Sequence, residues 1–467
     1  MRSSFLWNAI ENFSRMGVQF VIGVILARLL NVYDYGILGI ISVFIAISQT
    51  LIDAGFSNAL LRKKECTSTD YSTVFFTNVA ISVLVFIILF LFAPLVSSFY
   101  DSPILCPVLR CMGASIIIQS LYTVHKVKLT KELQFKQLAF IAFVSSAVSG
   151  ILAIILAYKG CGVWSLVFQS ICGIVLSGLL IAYKAHWMPS LAFSKQSFKS
   201  LFDFGSKLLA SNLIFTFFNN LYNLVIGKCL TPQVLGYYSR ADGYSRLMPV
   251  NIGTILQNIM LPILSKLQDD DEALRNLFVK FTKITSFFIF PLSLFLCVLA
   301  KPVILLMISE KWADTIPILQ ILCIAYMFDH ISSLCSNFLM VKGKSDRILI
   351  ISSSSKVLLV LLLVASFHFG VIVVAWSKFV YSIFVVLLST FYLNKTLSVS
   401  LGIIMKSITP MLLITIASAF IIYILSSMLP TSWPSLILCL IASIVIYTLL
   451  SSIFLKEELQ MVKSLRR

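Results

Sequence analysis

The stretch VAISVLVFIILFLFAPLV, Val79 to Val96, contains no charged residue and shows no alternation of polar and apolar positions. A helix of about 20 such residues matches the hydrocarbon thickness of a bilayer. Similar runs recur along the 467 residues, of which 59% are hydrophobic and 12% are charged. Strands of a membrane barrel would alternate, so the sequence predicts an all-α polytopic membrane protein.

The breaks between apolar runs predict about fourteen transmembrane helices. The spans lie near 5–30, 36–61, 72–97, 104–125, 138–158, 162–183, 198–227, 236–265, 284–308, 315–341, 348–368, 371–393, 402–428 and 434–455. The segments between spans are too short for a soluble catalytic domain, so we expect no enzyme. The ten cysteines lie mostly inside apolar runs without CxxC spacing, which predicts no metal site. No cofactor is expected either.

The net charge of +17 is explained by membrane topology rather than by nucleic-acid binding. If Met1 is cytoplasmic, 24 of the 36 Lys and Arg residues fall in inside segments, five fall outside and seven fall within spans. Lys and Arg are retained on the cytoplasmic side of membranes. The sequence therefore predicts that both termini lie in the cytoplasm.

An internal repeat relates the two halves of the chain. A shift of 200 residues aligns four identical pairs, namely Asn12 with Asn212, Leu30 with Leu230, Gly36 with Gly236, and Asn58 with Asn258. Since six helices separate the copies, the repeats are parallel. We predict an N-terminal six-helix lobe at 1–195, a second at 196–395 and a two-helix extension with a cytoplasmic tail at 396–467. This arrangement is typical of alternating-access transporters, and a duplicated scaffold without transport is the alternative.

Two predicted spans carry polar stripes. At 100° per residue, Asn8, Glu11, Arg15 and Gln19 share one arc, and so do Asp242, Arg246, Gly253 and Gln257. At 1.5 Å per residue, Arg15 and Arg246 both lie roughly 15 Å from a membrane edge, near the midplane. A charge there costs about 2.5 to 3.5 kcal/mol and needs a partner or a function. Pairing at i,i+4, as between Asp242 and Arg246, is the structural alternative.

Further ionisable residues fall within spans, including Asp53, Arg110, Asp203, Lys207, Asp329, His330, Lys356 and Lys378. Several of the cations have no acidic neighbour at helical spacing, so we expect a cavity that is net positive. Such a cavity suits an anionic substrate, and the planar fork of arginine suits phosphate oxygens. Tyr237, Tyr238 and Tyr244 would stack on sugar rings or form an outer aromatic belt.

The run LGYYSRADGYSRLMPVN, Leu235 to Asn251, is followed by MLPILSKLQDDDEALR. Together they resemble the Gly-Tyr-Tyr-Ser-Arg-Ala and Pro-x-x-Ser-x-x-Gln signature of bacterial polysaccharide flippases. These proteins are the Wzx-like branch of the multidrug, oligosaccharidyl-lipid and polysaccharide exporter superfamily. ARLLNVYDYGILG, FDFGSKLLASN and GCGVWSLV are also similar to segments of that family. The resemblance covers about the first 395 residues.

The resemblance implies a transporter that flips an undecaprenyl-diphosphate-linked oligosaccharide from the cytoplasmic to the periplasmic leaflet. The cargo would be a repeat unit of O-antigen of lipopolysaccharide, capsule or exopolysaccharide, and a glycan polymerase and chain-length proteins would be partners. Arg15 and Arg246 would hold the diphosphate, with Arg240 and Lys207 next. Asn12, Asn212 and Lys356 complete the expected substrate site, and Glu11, Asp53, Asp242 and Asp329 are expected to couple ions or pair with charges.

Two other functions remain open at this point. An ion-coupled multidrug exporter of the same superfamily would handle organic cations and needs an acidic cavity. A membrane glycan polymerase or ligase needs long periplasmic loops, which the predicted topology does not provide. The acidic run Asp269 to Glu272 precedes a predicted helix and is expected to cap it. The sequence has no P-loop motif, which argues against direct use of ATP.

Overall fold

The computed structural model describes residues 17–456 and residue 458. Inside the helices, the side chains at positions 204, 207, 248, 251, 254–259, 261–263 and 266 lie outside the described part. Of the predicted site residues, Glu11, Asn12 and Arg15 precede residue 17, and only the backbone of Lys207 is described.

All regular elements among the described residues are helices, which confirms the predicted all-α class. They are α1 (Gly17–Leu29), α2 (Val32–Asp53), α3 (Phe56–Arg62), α4 (Ser68–Phe99), α5 (Leu105–Lys131), α6 (Phe135–Tyr158), α7 (Val163–Ala185), α8 (Lys195–Cys229), α9 (Pro232–Lys266), α10 (Asp271–Val298), α11 (Ala300–Ile308), the 3-10 turn η1 (Glu310–Trp312), α12 (Thr315–Tyr326), α13 (Asp329–Val341), α14 (Ser345–Ser366), the 3-10 turn η2 (Phe367–Phe369), α15 (Val371–Leu397), α16 (Leu401–Met428) and α17 (Trp433–Phe454).

The described residues contain twelve segments long and apolar enough to cross a membrane. They coincide with twelve of the predicted spans. Of the other two predicted spans, 5–30 lies outside the described residues up to position 16 and falls on α1 after it, and 236–265 falls on α9, whose side chains are described only in part. The chain is therefore a multi-pass helical membrane protein, and its described residues contain twelve of the predicted spans.

Three of the predicted spans contain a helix break that the sequence analysis did not predict. The span 36–61 divides into α2 and α3, 284–308 falls on α10 and α11, and 315–341 divides into α12 and α13. The first break follows from Ala54 and Gly55, whose φ angles of 41° and 74° are left-handed and end a right-handed helix.

The other two breaks have local causes. Pro302 has no N–H to donate to the carbonyl of Val298, where α10 ends. At the break between α12 and α13, Nδ1 of His330 lies 2.9 Å from the carbonyl oxygen of Met327. The imidazole therefore occupies an acceptor that a continuous helix would use for its own backbone.

The chain divides into two compact units, Met1–Gly236 and Tyr237–Arg467. In the first unit, α4 packs on α5, α6 packs on α7, and α8 packs on α2, α3 and α4. The three-part division at 195/196 and 395/396 rests on the sequence repeat and stays a prediction.

A glycine seam joins α2 to the segment that links α8 and α9. A Cβ atom at Gly36 would lie 1.6 Å from the carbonyl oxygen of Pro232, and one at Gly236 would lie 2.3 Å from that of Val32. Only glycine permits backbones to approach this closely. The 200-residue shift converts each contact into the other, since 32 aligns with 232 and 36 with 236. The repeat is therefore visible as a reciprocal backbone contact.

A second close approach lies at the other end of α2, where the chain meets α8. A Cβ atom at Gly205 of α8 would lie 2.5 Å from the carbonyl oxygen of Ala54, and one at Gly55 would lie 2.6 Å from that of Gly205. Between the two contacts, the hydroxyls of Thr50 and Thr216 are 3.2 Å apart. The seam thus runs along most of α2.

In the second unit, a phenylalanine-rich core lies among α10, α13, α15 and α16. The hydroxyl of Tyr447 on α17 donates to the carbonyl oxygen of Phe287 on α10, at 2.9 Å. Lys283 of α10 forms an ion pair of 2.7 Å with Glu458. Helix α16 therefore packs on α10, and α17 packs on α16 and reaches α10 through Tyr447.

Candidate functional site

The second unit contains an ion pair within α9. Nε of Arg246 lies 3.2 Å from Oδ2 of Asp242, one helical turn away, and the two side chains retain 37% and 24% of their exposure. Residues four apart share a helix face, which explains the pairing. Both side chains of the pair are therefore half-buried.

Tyr326, at the end of α12, contacts both members of this pair. Its hydroxyl donates to Oδ1 of Asp242. The centre of its ring is 4.9 Å from Cζ of Arg246, within the range of cation–π attraction. Tyr326 is only 3% exposed, so its position is fixed by packing. The tyrosine therefore orients the carboxylate and shields one face of the guanidinium.

Lys378 of α15 is the second cation of this group and is 8% exposed. Its Nζ lies 4.7 Å from the ring centre of Tyr381 and 5.5 Å from that of Tyr326. It interacts electrostatically with Asp329 and Asp242. A buried ammonium needs such carboxylates, because water is not there to solvate it.

Asp329, at the start of α13, completes the group. Its carboxylate accepts a hydrogen bond from the hydroxyl of Ser382, which also lies 2.8 Å from the carbonyl oxygen of Ala325. We call this group the charged cluster; its members are Asp242, Arg246, Tyr326, Asp329, Lys378 and Tyr381. Four separate helices supply the charged groups and the buried tyrosine.

The charges in this cluster balance, with two cations and two carboxylates. The expectation of a net positive site is therefore wrong for this region. Lys378 has no acidic neighbour along its own helix, but α9 and α13 bring Asp242 and Asp329 to it. Spacing along one helix cannot show a partner that comes from another.

Other predicted residues lie in different surroundings. Cζ of Arg240 lies 5.9 Å from the ring centre of Trp312. Arg110 packs on the ring of Phe90 at 4.2 Å and donates to its carbonyl oxygen. Asn212 is exposed on α8, as is Asp203, and Lys356 is half-buried on α14.

The expected sugar-stacking role does not suit two of the tyrosines. Tyr237 and Tyr238 are 8% and 2% exposed, and Tyr237 packs edge-on against Trp312 with ring centres 6.2 Å apart. Rings buried this deeply are core residues, neither available to a sugar nor part of an outer aromatic belt. Tyr244, on the same helix, is half-buried.

The first unit contains a cavity of about 340 Å³ lined by apolar and polar residues of α2, α3 and α5. Asp53, at the end of α2, lines it, and one carboxylate oxygen accepts from both the N–H and the hydroxyl of Ser57. Nε2 of Gln49 donates to Oε1 of Gln119 across the cavity wall, at 2.9 Å. Lys126 lines the cavity and is exposed. Sequence reasoning selected Asp53 but missed both glutamines, because isolated glutamines carry little signal.

Among the described residues, no group of three His, Cys, Asp or Glu side chains could hold a metal ion. In the acidic run, Oδ1 of Asp270 accepts from the N–H of Ala273 at 2.9 Å and so caps α10. Asp271 pairs with Lys342 at 2.8 Å. The predicted capping role of this run is confirmed.

Comparison with known proteins places this geometry in context. The model of a family described as "Polysaccharide biosynthesis protein" matches residues 25–317. The chain is 27% identical over 346 residues to lipopolysaccharide biosynthesis protein WzxC of Escherichia coli (strain K12), covering 73% of this chain and 70% of WzxC. It is 26% identical over 426 residues to teichuronic acid biosynthesis protein TuaB of Bacillus subtilis (strain 168), covering 89% and 87%.

The fold is similar to that of a solved transporter. The lipid II flippase MurJ, in an inward closed conformation, aligns with a TM-score of 0.76 at 18% identity, covering 97% of this chain and 99% of MurJ. At this identity the likeness concerns the fold alone.

Proposed function

Since this chain belongs to the family of polysaccharide biosynthesis proteins, we propose that it flips undecaprenyl-diphosphate-linked oligosaccharide from the cytoplasmic to the periplasmic leaflet. The cargo is a repeat unit of O-antigen, capsule or exopolysaccharide, and transport proceeds by alternating access. The relatives named for lipopolysaccharide and teichuronic acid biosynthesis support this cargo class. The chain is a transporter and not a glycan-forming enzyme.

The half-buried ion pair between Arg246 and Asp242, within a membrane helix, is the observation that carries this proposal. An arginine within a membrane helix is expensive unless it is paired. Here the partner is a single carboxylate on the same helix, and a diphosphate offers more charged oxygens in a geometry that fits the guanidinium fork. The diphosphate would therefore take the place of Asp242 at Arg246.

The surroundings of Asp242 favour this exchange. When the diphosphate binds Arg246, the released carboxylate keeps the hydrogen bond from Tyr326 and the attraction of Lys378. It is therefore not left as an uncompensated charge, which would be the main cost of the exchange. In reverse, the carboxylate returns to Arg246 and releases the diphosphate. The pair thus provides a reversible holding point for the cargo.

The remaining site assignments rest on the resemblance. Arg15, Lys207 and Arg240 would add cations to the diphosphate site, while Asn12, Asn212 and Lys356 would contact the rest of the cargo. Substitution of each by alanine, followed by measurement of cargo binding, tests these roles one by one. If every one of these variants binds the cargo as tightly as the wild type does, the site roles implied by the resemblance are wrong.

The orientation follows from the positive charges. With Lys and Arg concentrated in alternate loops, both termini lie in the cytoplasm of a bacterium and the protein lies in the inner membrane. A cysteine introduced at exposed Lys344 should react with a membrane-impermeant maleimide only after the inner leaflet is opened. Reaction in intact spheroplasts would show that residue 344 faces the periplasm, which is the opposite of the proposed orientation.

Energy coupling is proposed to involve an acidic residue, with Glu11, Asp53, Asp242 and Asp329 as the candidates. Protonation of one carboxylate, or the action of the membrane potential on bound charge, would drive the transition. Vesicles given a pH gradient alone and then a potential alone distinguish the two sources. Transport that ignores both would exclude coupling through these carboxylates.

The proposed function is tested in cells that lack their own transporter. A plasmid with this chain should restore surface glycan, Arg246→Ala should abolish it, and Arg246→Lys should restore part, because lysine keeps the charge without the fork. Arg110→Ala is the matched control, since Arg110 is another arginine within a membrane helix that packs on Phe90 outside the cluster. Full surface glycan with Arg246→Ala, at equal protein level, would contradict the proposal.

A further inference from the structure

The cavity lined by α2, α3 and α5 in the first unit has no role in the exchange at Arg246. It is lined by Gln49, Ile52, Asp53, Ser57, Leu61, Ile116, Gln119, Ser120, Tyr122, Thr123, Lys126, Val127 and Thr130. Its volume of about 340 Å³ lies within the range of small-ligand pockets. We infer that this cavity is the subsite for the sugars of the cargo, an inference that rests on the proposed function.

The lining offers hydrogen-bonding groups that other residues leave open. Gln49 donates to Gln119, which leaves the carboxamide oxygen of the first and the NH₂ group of the second without a hydrogen bond among the described residues. Both amides therefore present one free donor or acceptor to the cavity. Alternating donors and acceptors match sugar hydroxyls, since each hydroxyl does both.

Asp53 adds a charge-assisted acceptor. Its Oδ1 is held by Ser57, while Oδ2 has no hydrogen bond within the described part of the chain. A carboxylate oxygen fixed in this way accepts strongly from a hydroxyl. The same charge repels a phosphate, so the cavity favours the uncharged part of the cargo. This contact is the role that the geometry points to for Asp53, instead of the expected ion coupling.

A second cavity of about 290 Å³ shares Tyr122 and Lys126 with the first. Its lining adds Gln169 and several serines of α6 and α7. A Cβ atom at Gly178 would lie 2.7 Å from the ring of Tyr122, so glycine there leaves room for the ring. Tyr122 thus stands between the two cavities, where an aromatic face packs well against a sugar ring. Two adjoining cavities suit an oligosaccharide better than a single sugar.

Other occupants fit less well. An apolar lipid tail gains nothing from two carboxamides and a carboxylate, and those groups would lose their water. An inorganic or lipid phosphate meets the negative charge of Asp53 within the cavity, and the one cation, Lys126, is exposed at its edge. A neutral polyhydroxyl ligand donates hydrogen bonds to the open acceptors and accepts from the open donors, and it adds no second negative charge beside Asp53.

The test measures binding of two probes to the full chain in lipid nanodiscs. One probe is undecaprenyl diphosphate, and the other is the lipid-linked repeat unit extracted from cells depleted of this transporter. Gln49→Leu with Gln119→Leu removes both amides together, so neither is left unpaired. We expect this double variant to raise the Kd for the glycosylated lipid about tenfold and to leave the Kd for undecaprenyl diphosphate within about twofold.

Asp53→Asn is a second variant that keeps the side-chain shape, and it should shift the same Kd in the same direction. Glu132→Gln is the control, because it removes an exposed carboxylate of the first unit outside the cavity. Equal Kd values of wild type and both cavity variants for the glycosylated lipid would overturn the inference, and so would equal losses with both probes.

Arg246→Ala distinguishes the two proposals. It should weaken binding of both probes alike, since both carry the diphosphate. If it does so while the cavity variants change nothing, the sugar subsite is wrong and the proposed function stands. If Arg246→Ala leaves both Kd values unchanged, the diphosphate site of the proposed function is wrong.

Discussion

The two units of this chain place polar groups among membrane helices in different ways. In the first unit, Gln49, Gln119 and Asp53 line an open cavity and keep hydrogen-bonding atoms available. In the second unit, Arg246 forms an ion pair with Asp242, Lys378 interacts electrostatically with Asp329 and Asp242, and both cations lie beside tyrosine rings. The first arrangement leaves neutral polar groups open to a cavity, whereas the second places its cations beside carboxylates.

This difference follows from the cost of each kind of group. A carboxamide facing a cavity loses little when it exchanges water for a ligand hydroxyl. A buried ammonium without a carboxylate costs several kcal/mol. Neutral polar groups can therefore face a cavity without a protein partner. Buried charges need a partner within the protein, and the cargo must displace that partner in order to bind. Removing a charge from the second unit should consequently be more damaging than removing one from the first.

The largest expected effect is on stability in Lys378→Met. Loss of the ammonium removes the cation that acts most strongly on buried Asp329, and a buried charge left uncompensated costs about 3–5 kcal/mol. Lys126→Met removes a lysine of the first unit that is exposed, and should change stability by less than about 0.5 kcal/mol. Melting temperatures of the purified variants measure both effects, and equal melting temperatures would abolish the contrast between the units.

A double variant checks the cause. Lys378→Met combined with Asp329→Asn removes both charges, so part of the lost stability should return. A double variant less stable than Lys378→Met alone would show that the pairing with Asp329 is not what Lys378 contributes.

A smaller effect is expected at the glycine seam of the first unit. Gly205→Ala places a methyl group 2.5 Å from the carbonyl oxygen of Ala54, and relief of this overlap should cost about 1–3 kcal/mol. In Gly173→Ala the new methyl group meets the nearest atom, Oγ of Ser149, at 3.4 Å. That helical glycine should gain up to about 1 kcal/mol. Opposite signs of the two changes in melting temperature are expected, and a stabilised Gly205→Ala would refute the close approach.

Much of this organisation could be predicted from the sequence. Apolar runs located the spans, and i,i+4 spacing placed Asp242 beside Arg246, because both signals are local. The sequence did not show that Tyr326 and Lys378 complete the cluster, since they lie 80 or more residues further along the chain. Their contacts depend on helix packing, which periodicity does not specify.

Helix breaks were missed for a related reason. Apolar composition continues through Ala54 and through Met327, so hydropathy reports one span where the backbone turns. Gly55 was the available signal for the first break, and Pro302 for the one after Val298. The break at Met327 depends on the imidazole of His330 donating to a backbone carbonyl oxygen, and a lone histidine in an apolar run does not reveal that contact.

The smallest expected effect concerns Tyr326→Phe, which removes the hydroxyl that donates to Asp242 and keeps the ring over Arg246. Because Asp242 is partly solvated, the loss should be about 1 kcal/mol. Tyr381→Phe keeps its ring beside Lys378 and should change stability less. Melting temperatures again decide, and a larger loss in Tyr381→Phe would show that the hydrogen bond to Asp242 is not the stronger support of the cluster.

Translocation in proteoliposomes tests the central claim most directly. Lipid-linked repeat unit is incorporated with the protein, and a membrane-impermeant glycosidase in the medium reports the fraction that reaches the outer leaflet with time. We predict that wild-type protein exposes the inner pool much faster than protein-free vesicles do, and that Arg246→Ala falls to the protein-free rate while Arg110→Ala keeps the wild-type rate. A wild-type rate no faster than that of empty vesicles, or an undiminished rate with Arg246→Ala, would contradict the account.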